Sequence, residues 1–263
     1  MRSLWSSVVL GAVAWLCSSC GTQVYLHKWQ PAQVDLPRGT VLRVHPETRG
    51  PLRHELRRAF AQQIERDGFY RAGGAGPSAE IRLHHVHVNM TDPPKDDKHR
   101  KRPYPNRVDL TADVVCNYQR IYRKNCSQYV STDYEYRPDW EEAAEGIAED
   151  VMRDLTPHQV RYSETVDEVE ANPAVEQAAR ACAAGNWEGG RSLARQALAQ
   201  NPNEAEAYYV LGLIERNARN YTASDAHFRK AYSLNPQSKY LSGINDNSRL
   251  QLDEQRARQQ MQC

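Results

Sequence analysis

An excess of either charge is missing from this sequence. Its 263 residues carry 34 Lys and Arg against 33 Asp and Glu, so bulk electrostatics supply no pull toward nucleic acid, and none is expected as a partner. The one basic cluster, Lys98 to Arg102, is flanked by Asp92, Asp96, Asp97 and four prolines and reads as a solvated loop. Also missing are a phosphate-cradling glycine loop, a Gly-x-Ser-x-Gly elbow and a His-Glu-x-x-His helix. No Cys-x-x-Cys pair follows Cys20, which removes zinc-ribbon and thioredoxin-like chemistry. The expectation is a non-enzyme with no catalytic residue, no metal and no cofactor. Apolar runs are short: the longest, Leu4 to Leu16, falls below the roughly twenty residues that cross a bilayer as a helix. What remains is an ordinary balance for a folded body, long enough for two modest domains.

The uncharged run after Arg2 has the form of a signal peptide over residues 1–19. Its exit, Leu16-Cys17-Ser18-Ser19-Cys20, resembles the lipobox of bacterial lipoproteins, with Cys17 where that family usually has Leu. Small side chains before the cut suit the peptidase, and a thiol is the nucleophile that takes diacylglycerol. The resemblance implies lipidation of Cys20, a membrane partner reached through that anchor, and the periplasmic face of the outer membrane, because Gly21 follows where Asp would favour the inner one. Residues 20–38 then read as an extended tether, with Pro31 and Pro37 discouraging helix.

Residues 39–166 carry alternating and helical periods in turn. Thr40 to His45 is a short strand. Pro51 to Tyr70 places Leu52, Leu56, Ala59, Phe60 and Ile64 on one helical face, with Gly68 near its end. Ala79 to Asn89 and Val108 to Tyr118 alternate as strands, and Gln128 to Tyr136 is the expected antiparallel partner of the second. Trp140 to Leu155 is a second amphipathic helix stopped by Pro157. The predicted class is α+β: a mainly antiparallel sheet with two covering helices, followed by an all-α repeat. Pro31-Ala32, Val34-Asp35-Leu36 and the exit Gly68-Phe69-Tyr70 resemble envelope lipoproteins related to the curli-secretion and penicillin-binding-protein-activator domains, which implies a protein-contacting module.

Residues 171–204 align with 205–238 without a gap, a period of 34. Asn186-Trp187 matches Asn220-Tyr221, Ala197 matches Ala231, and Asn201-Pro202 matches Asn235-Pro236. The second copy, with Tyr208, Leu211, Gly212, Tyr221, Phe228, Ala231 and Pro236, resembles the tetratricopeptide repeat, whose length this is. The first copy is degenerate, with Ala178 and Ala194 where the family has Gly and a large aromatic. Residues 239–263 are expected to give a capping helix through Tyr240, Leu241, Ile244, Leu250 and Leu252, then a polar tail in water. In that family the first helices line a concave groove. The resemblance therefore places Glu206, Tyr209, Leu213, Arg216 and Asn217 in a partner-binding groove suited to an apolar or aromatic peptide, or to the neighbouring domain.

Two constellations remain. Cys116 and Cys126 can bridge if the hairpin bends near Ile121, and miss each other if it turns at Arg123 to Asn125. His84-His85-Val86-His87 puts His85 and His87 on one strand face and His84 on the other, and two imidazoles are not a metal site. The function expected is that of a lipid-anchored periplasmic adaptor. The alternatives are a subunit of an oligomeric outer-membrane secretion complex and a histidine-based metal-binding envelope protein.

Overall fold

The computed structural model describes residues 21–92, 103–132, 137–169 and 171–262. The signal peptide, Cys20, the basic cluster, Tyr134, Tyr136 and Cys263 lie outside the described residues. The chain is α+β, with six strands in two sheets and a C-terminal run of helices. Its elements divide into two units, one of residues 30–158 with 255–263, the other of the residues up to Trp29 with 159–254.

The first unit holds β2 (Val41–Pro46), α1 (Pro51–Asp67), β3 (Ser78–Thr91), β4 (Tyr104–Cys116), β5 (Gln119–Tyr129) and α2 (Trp140–Leu155). The sheet order is β2-β3-β4-β5, with β2 and β3 parallel and the other two pairs antiparallel. Helix α1 is the crossover that a parallel pair needs. Pro51 opens it without losing a bonded N–H, and Gly68 ends it in the left-handed region (φ 62°), returning its N–H to the Ile64 carbonyl. The stripe Leu56, Phe60 and Ile64 meets Ile147, Val151 and Leu155 of α2, and both helices cover Ile81, Leu83, Leu110, Ala112 and Val114 of the sheet. Asp139 caps α2 by accepting from the Glu142 N–H at 3.0 Å.

The partner of β4 departs from the sequence reading. It is Gln119–Tyr129, joined to β4 by a two-residue turn, so that among the described residues of the expected run Gln128 and Tyr129 are the last rungs of the pairing and not its first. Asn117 (φ 49°) and Tyr118 (φ 63°) both take left-handed dihedrals, the geometry of the tightest hairpin turn. A tyrosine is a poor candidate for that position, so the pattern of side chains concealed the bend.

The other unit begins with β1 (Thr22–Gln30), which pairs with β6 (His158–Val166) in a two-stranded sheet. This corrects the tether reading: Val24 and Leu26 alternate with exposed neighbours and are buried, so the segment is a strand with one apolar face. Next come two helical hairpins, α3 (Pro173–Ala183) with α4 (Trp187–Gln200), and α5 (Ala205–Asn217) with α6 (Tyr221–Leu234). The second-helix caps repeat in phase: Asn186 accepts from the Gly189 N–H and Asn220 from the Ala223 N–H. Gly212 allows α6 to approach, because a Cβ there would lie 2.3 Å from the Phe228 ring.

Helix α7 (Ser238–Gln262) is one element of 25 residues, not a short cap with a solvated tail. Its inward stripe is Tyr240, Gly243, Asn247, Leu250, Glu254, Ala257 and Met261, while Leu241 and Leu252 point outward. The final turns belong to the unit of residues 30–158. There the Gln260 side chain accepts from the Ala32 N–H at 2.9 Å and donates to Asp35 Oδ1 at 2.9 Å, and Arg256 pairs with Asp35. Alternating three- and four-residue steps make this stripe regardless of polarity, which is why an apolar count misassigned it.

Candidate functional site

Four of the five groove residues, Glu206, Tyr209, Leu213 and Arg216, are covered by the chain itself. Glu206, Tyr209, Leu213 and Arg216 are buried and Asn217 is half-buried. Arg216, 4% exposed, donates from Nε to Asn247 Oδ1 (2.7 Å), from one terminal nitrogen to Glu164 Oε1 (3.0 Å) and from the other to the Gly243 carbonyl (2.7 Å). Its guanidinium also lies 4.8 Å from the centre of the Phe228 ring. Glu164 comes from β6, and Gly243 and Asn247 from α7. The Tyr209 hydroxyl donates to Glu164 Oε2 at 3.2 Å. Asn247 passes the network on to Ser224 (3.0 Å) and Asp225 (2.6 Å), and Ser224 donates to the Gly212 carbonyl.

At the other end of the same surface, Glu206 accepts from the Tyr240 hydroxyl at 2.5 Å and pairs with Lys239, which also reaches Asp167 at 2.7 Å. Burial raises the Glu206 carboxyl pKa above its ordinary value, and the Lys239 and Tyr240 hydrogen bonds work against that rise. The occupants expected were an apolar or aromatic peptide or the neighbouring domain, and the contacts described come from β6 and α7 of the same unit. Strand β6 and helix α7 occupy the surface a partner would need; Arg216 is satisfied from within the unit, whereas Glu206 engages Tyr240 and Lys239 through Oε1 alone and leaves Oε2 buried without a hydrogen bond.

The four-stranded sheet leaves the opposite situation on its far side. Its helices pack against one face, and the other carries Arg43 and His45 of β2, Arg82, His84 and His87 of β3, Asp109 and Asp113 of β4, and Arg123 of β5. Asp113 is the hub. Arg123 donates to both its carboxylate oxygens (2.7 and 2.8 Å), His84 Nε2 lies 3.0 Å away, and Arg120 stands at 3.8 Å. The Arg123 hydrogen bonds are the main reason that the Asp113 pKa sits below the usual carboxylate value.

The histidines differ from the alternation expected of them. His84 faces Thr111 and His87 faces Asp109, so three steps on β3 match two on β4, and His85 (φ 51°) is the extra residue of a bulge. His84 and His87 consequently share the open face. Among the described residues, no group of three His, Cys, Asp or Glu side chains is placed to hold a metal ion.

Cys116 and Cys126 do not pair. Cys116 stands opposite Gln119 and Cys126 opposite Leu110, because the turn falls at Asn117-Tyr118 instead of either place the sequence suggested. Burial pushes the Cys126 thiol up to about 11 and the Cys182 thiol up to about 12, so both are packing groups at neutral pH.

Sequence reasoning missed the hairpin tip. Tyr118 is fully exposed (101%) and Ile121 projects from the bulge where Val114 opposite Tyr122 is followed by Val115 opposite Arg120. The available signal was Asn117, which favours left-handed turns.

No family model matches the chain, and no curated protein matches it. Its fold is similar to that of a minor lipoprotein from Acinetobacter baumannii, at 9% identity and a TM-score of 0.33 over 46% of this chain and 92% of that one. It is also similar to a PelC dodecamer from Paraburkholderia phytofirmans, at 15% identity and a TM-score of 0.31 over 51% of this chain and 96% of the other. Among the described residues, no helix is long and apolar enough to cross a membrane.

Proposed function

We propose that the chain is a lipid-anchored envelope protein of the periplasmic face of the outer membrane, acting as a non-enzymatic adaptor between protein partners. The observation that carries this reading is Ser18-Ser19-Cys20-Gly21 behind Arg2 and an uncharged apolar run: small residues before a thiol at the end of a signal too short to span. Lipid on Cys20 would confine the molecule to two dimensions and raise its effective concentration beside other membrane proteins.

Helical hairpins in phase at the tetratricopeptide spacing support a protein-binding ancestry for the C-terminal half. With their inner surface filled by β6 and α7, partner contact falls to outward surfaces. The open sheet face around Arg82, His87, Arg107 and Arg123 is the candidate that the fold leaves unoccupied by its own helices. Subunit status in a secretion complex through a membrane-spanning hairpin is disfavoured, since β4 and β5 carry Asp109, Asp113, Arg123 and Lys124 where lipid-facing strands need apolar side chains.

Fatty-acid labelling in cells tests the anchor. Label should enter the wild-type chain and vanish in Cys20→Ser, with the variant leaving the membrane fraction. Unlabelled wild type, or unchanged fractionation of the variant, defeats the proposal.

A further inference from the structure

The β4–β5 hairpin tip puts a bulky side chain at positive φ without burying it. Tyr118 has φ 63°, a region disfavoured for an L residue, and its side chain, 101% exposed, gains no burial in exchange. A bulky side chain at positive φ is an outlier, and such strain points to a role outside the fold. Beside it Ile121 is turned outward by the bulge, so the tip offers an aromatic and a branched aliphatic side chain together.

The charge around them is net positive. From Val114 to Thr132 the sequence has no Asp or Glu. The two register rows nearest the turn on the open face are Arg43-Glu80-Val115-Arg120 and His45-Arg82-Asp113-Arg123. They hold four guanidinium groups against two carboxylates, and both carboxylates are paired within the rows, Glu80 with Arg82 and Asp113 with Arg123. Arg43 and Arg120 supply the surplus.

Tyrosine is the side chain that settles at the headgroup level of a bilayer, and cations beside it are drawn to anionic lipid. We propose that the hairpin tip is a second, reversible membrane contact, in which Tyr118 and Ile121 enter the interfacial layer while Arg120 and Arg43 face anionic headgroups. This rests on the lipid-anchored reading and deepens it: an acyl anchor fixes distance from the bilayer, and a contact at the tip would also fix orientation.

The test uses residues 21–263, which retain every described element and carry no lipid, so it does not depend on whether Cys20 is acylated. Co-sedimentation with vesicles of phosphatidylglycerol and phosphatidylcholine should exceed that with phosphatidylcholine alone. Arg120→Gln should weaken binding to the anionic vesicles about fivefold. Tyr118→Gly, which suits the turn better and should raise the Tm, should weaken binding about tenfold. Equal sedimentation with both vesicle types, undiminished binding by Tyr118→Gly, or a photo-crosslinker at position 118 capturing a protein and no lipid in cells would each overturn the proposal.

Discussion

Two guanidinium–carboxylate hubs sit in the two units, Arg216 with Glu164 and Arg123 with Asp113, and burial makes them different objects. Arg216 is enclosed, with its donors committed to Glu164, Asn247 and the Gly243 carbonyl. Arg123 makes the better bidentate geometry, yet its side chain is half exposed. In the first case removal of one partner strands charge and polar atoms away from water. In the second, Asp113 is itself buried but keeps His84 and Arg120 as partners, and the half-exposed Arg123 is readily hydrated. The comparison teaches that the repeat's inner surface has been converted from a candidate binding groove into core, while the sheet's open face has kept its polar groups available.

The sharpest way to break this contrast is Arg216→Ala, which should cost about 3–5 kcal/mol in urea unfolding. A loss below about 1 kcal/mol would mean that the inner surface is hydrated and the groove open. Gly212→Ala tests the same enclosure through packing: with the Phe228 ring 2.3 Å from the added carbon, a destabilisation of about 1–3 kcal/mol is expected by the same measurement. Arg123→Ala on the open face should stay within about 1 kcal/mol of wild type, and a larger cost would show that something covers that face.

The smallest effects concern pH, and they have opposite signs. Asp113 has a folded pKa below its unfolded value, so its contribution is complete above the ordinary carboxylate pKa and is lost as pH falls through the folded one. Glu206 has a folded pKa above its unfolded value, so its contribution is present at acid pH and declines as pH rises through the raised value. In Tm measured against pH, Asp113→Asn should lose ground to wild type on the alkaline side of its window and Glu206→Gln should gain it. Matching signs would refute the assignment of hydrogen bonding as the main cause at Asp113 and of desolvation as the main cause at Glu206.

Helices were legible in the sequence because their periods are carried by residues that pack. Leu56, Phe60 and Ile64 in α1, and the 34-residue phase of Asn186 with Asn220, needed no tertiary information. The strands were legible except where one residue breaks the count of two. His85 adds a step and moves His87 to the face of His84, and the turn at Asn117-Tyr118 moves the whole of β5. Neither carries the glycine that usually marks such positions. Glu206, Tyr209 and Arg216 were legible as one helix face, but nothing in those residues announces that β6 and α7 return to cover them.

By itself the sequence determined the α+β class, the amphipathic helices and the phase of the helical hairpins, because local periodicity dictates which face of an element must be buried. Only the tertiary structure decided what each face is buried against. That choice is made by long-range pairings, such as Glu164 with Arg216 and Gln260 with Ala32, whose free energy depends on the exclusion of water by segments far apart in the chain.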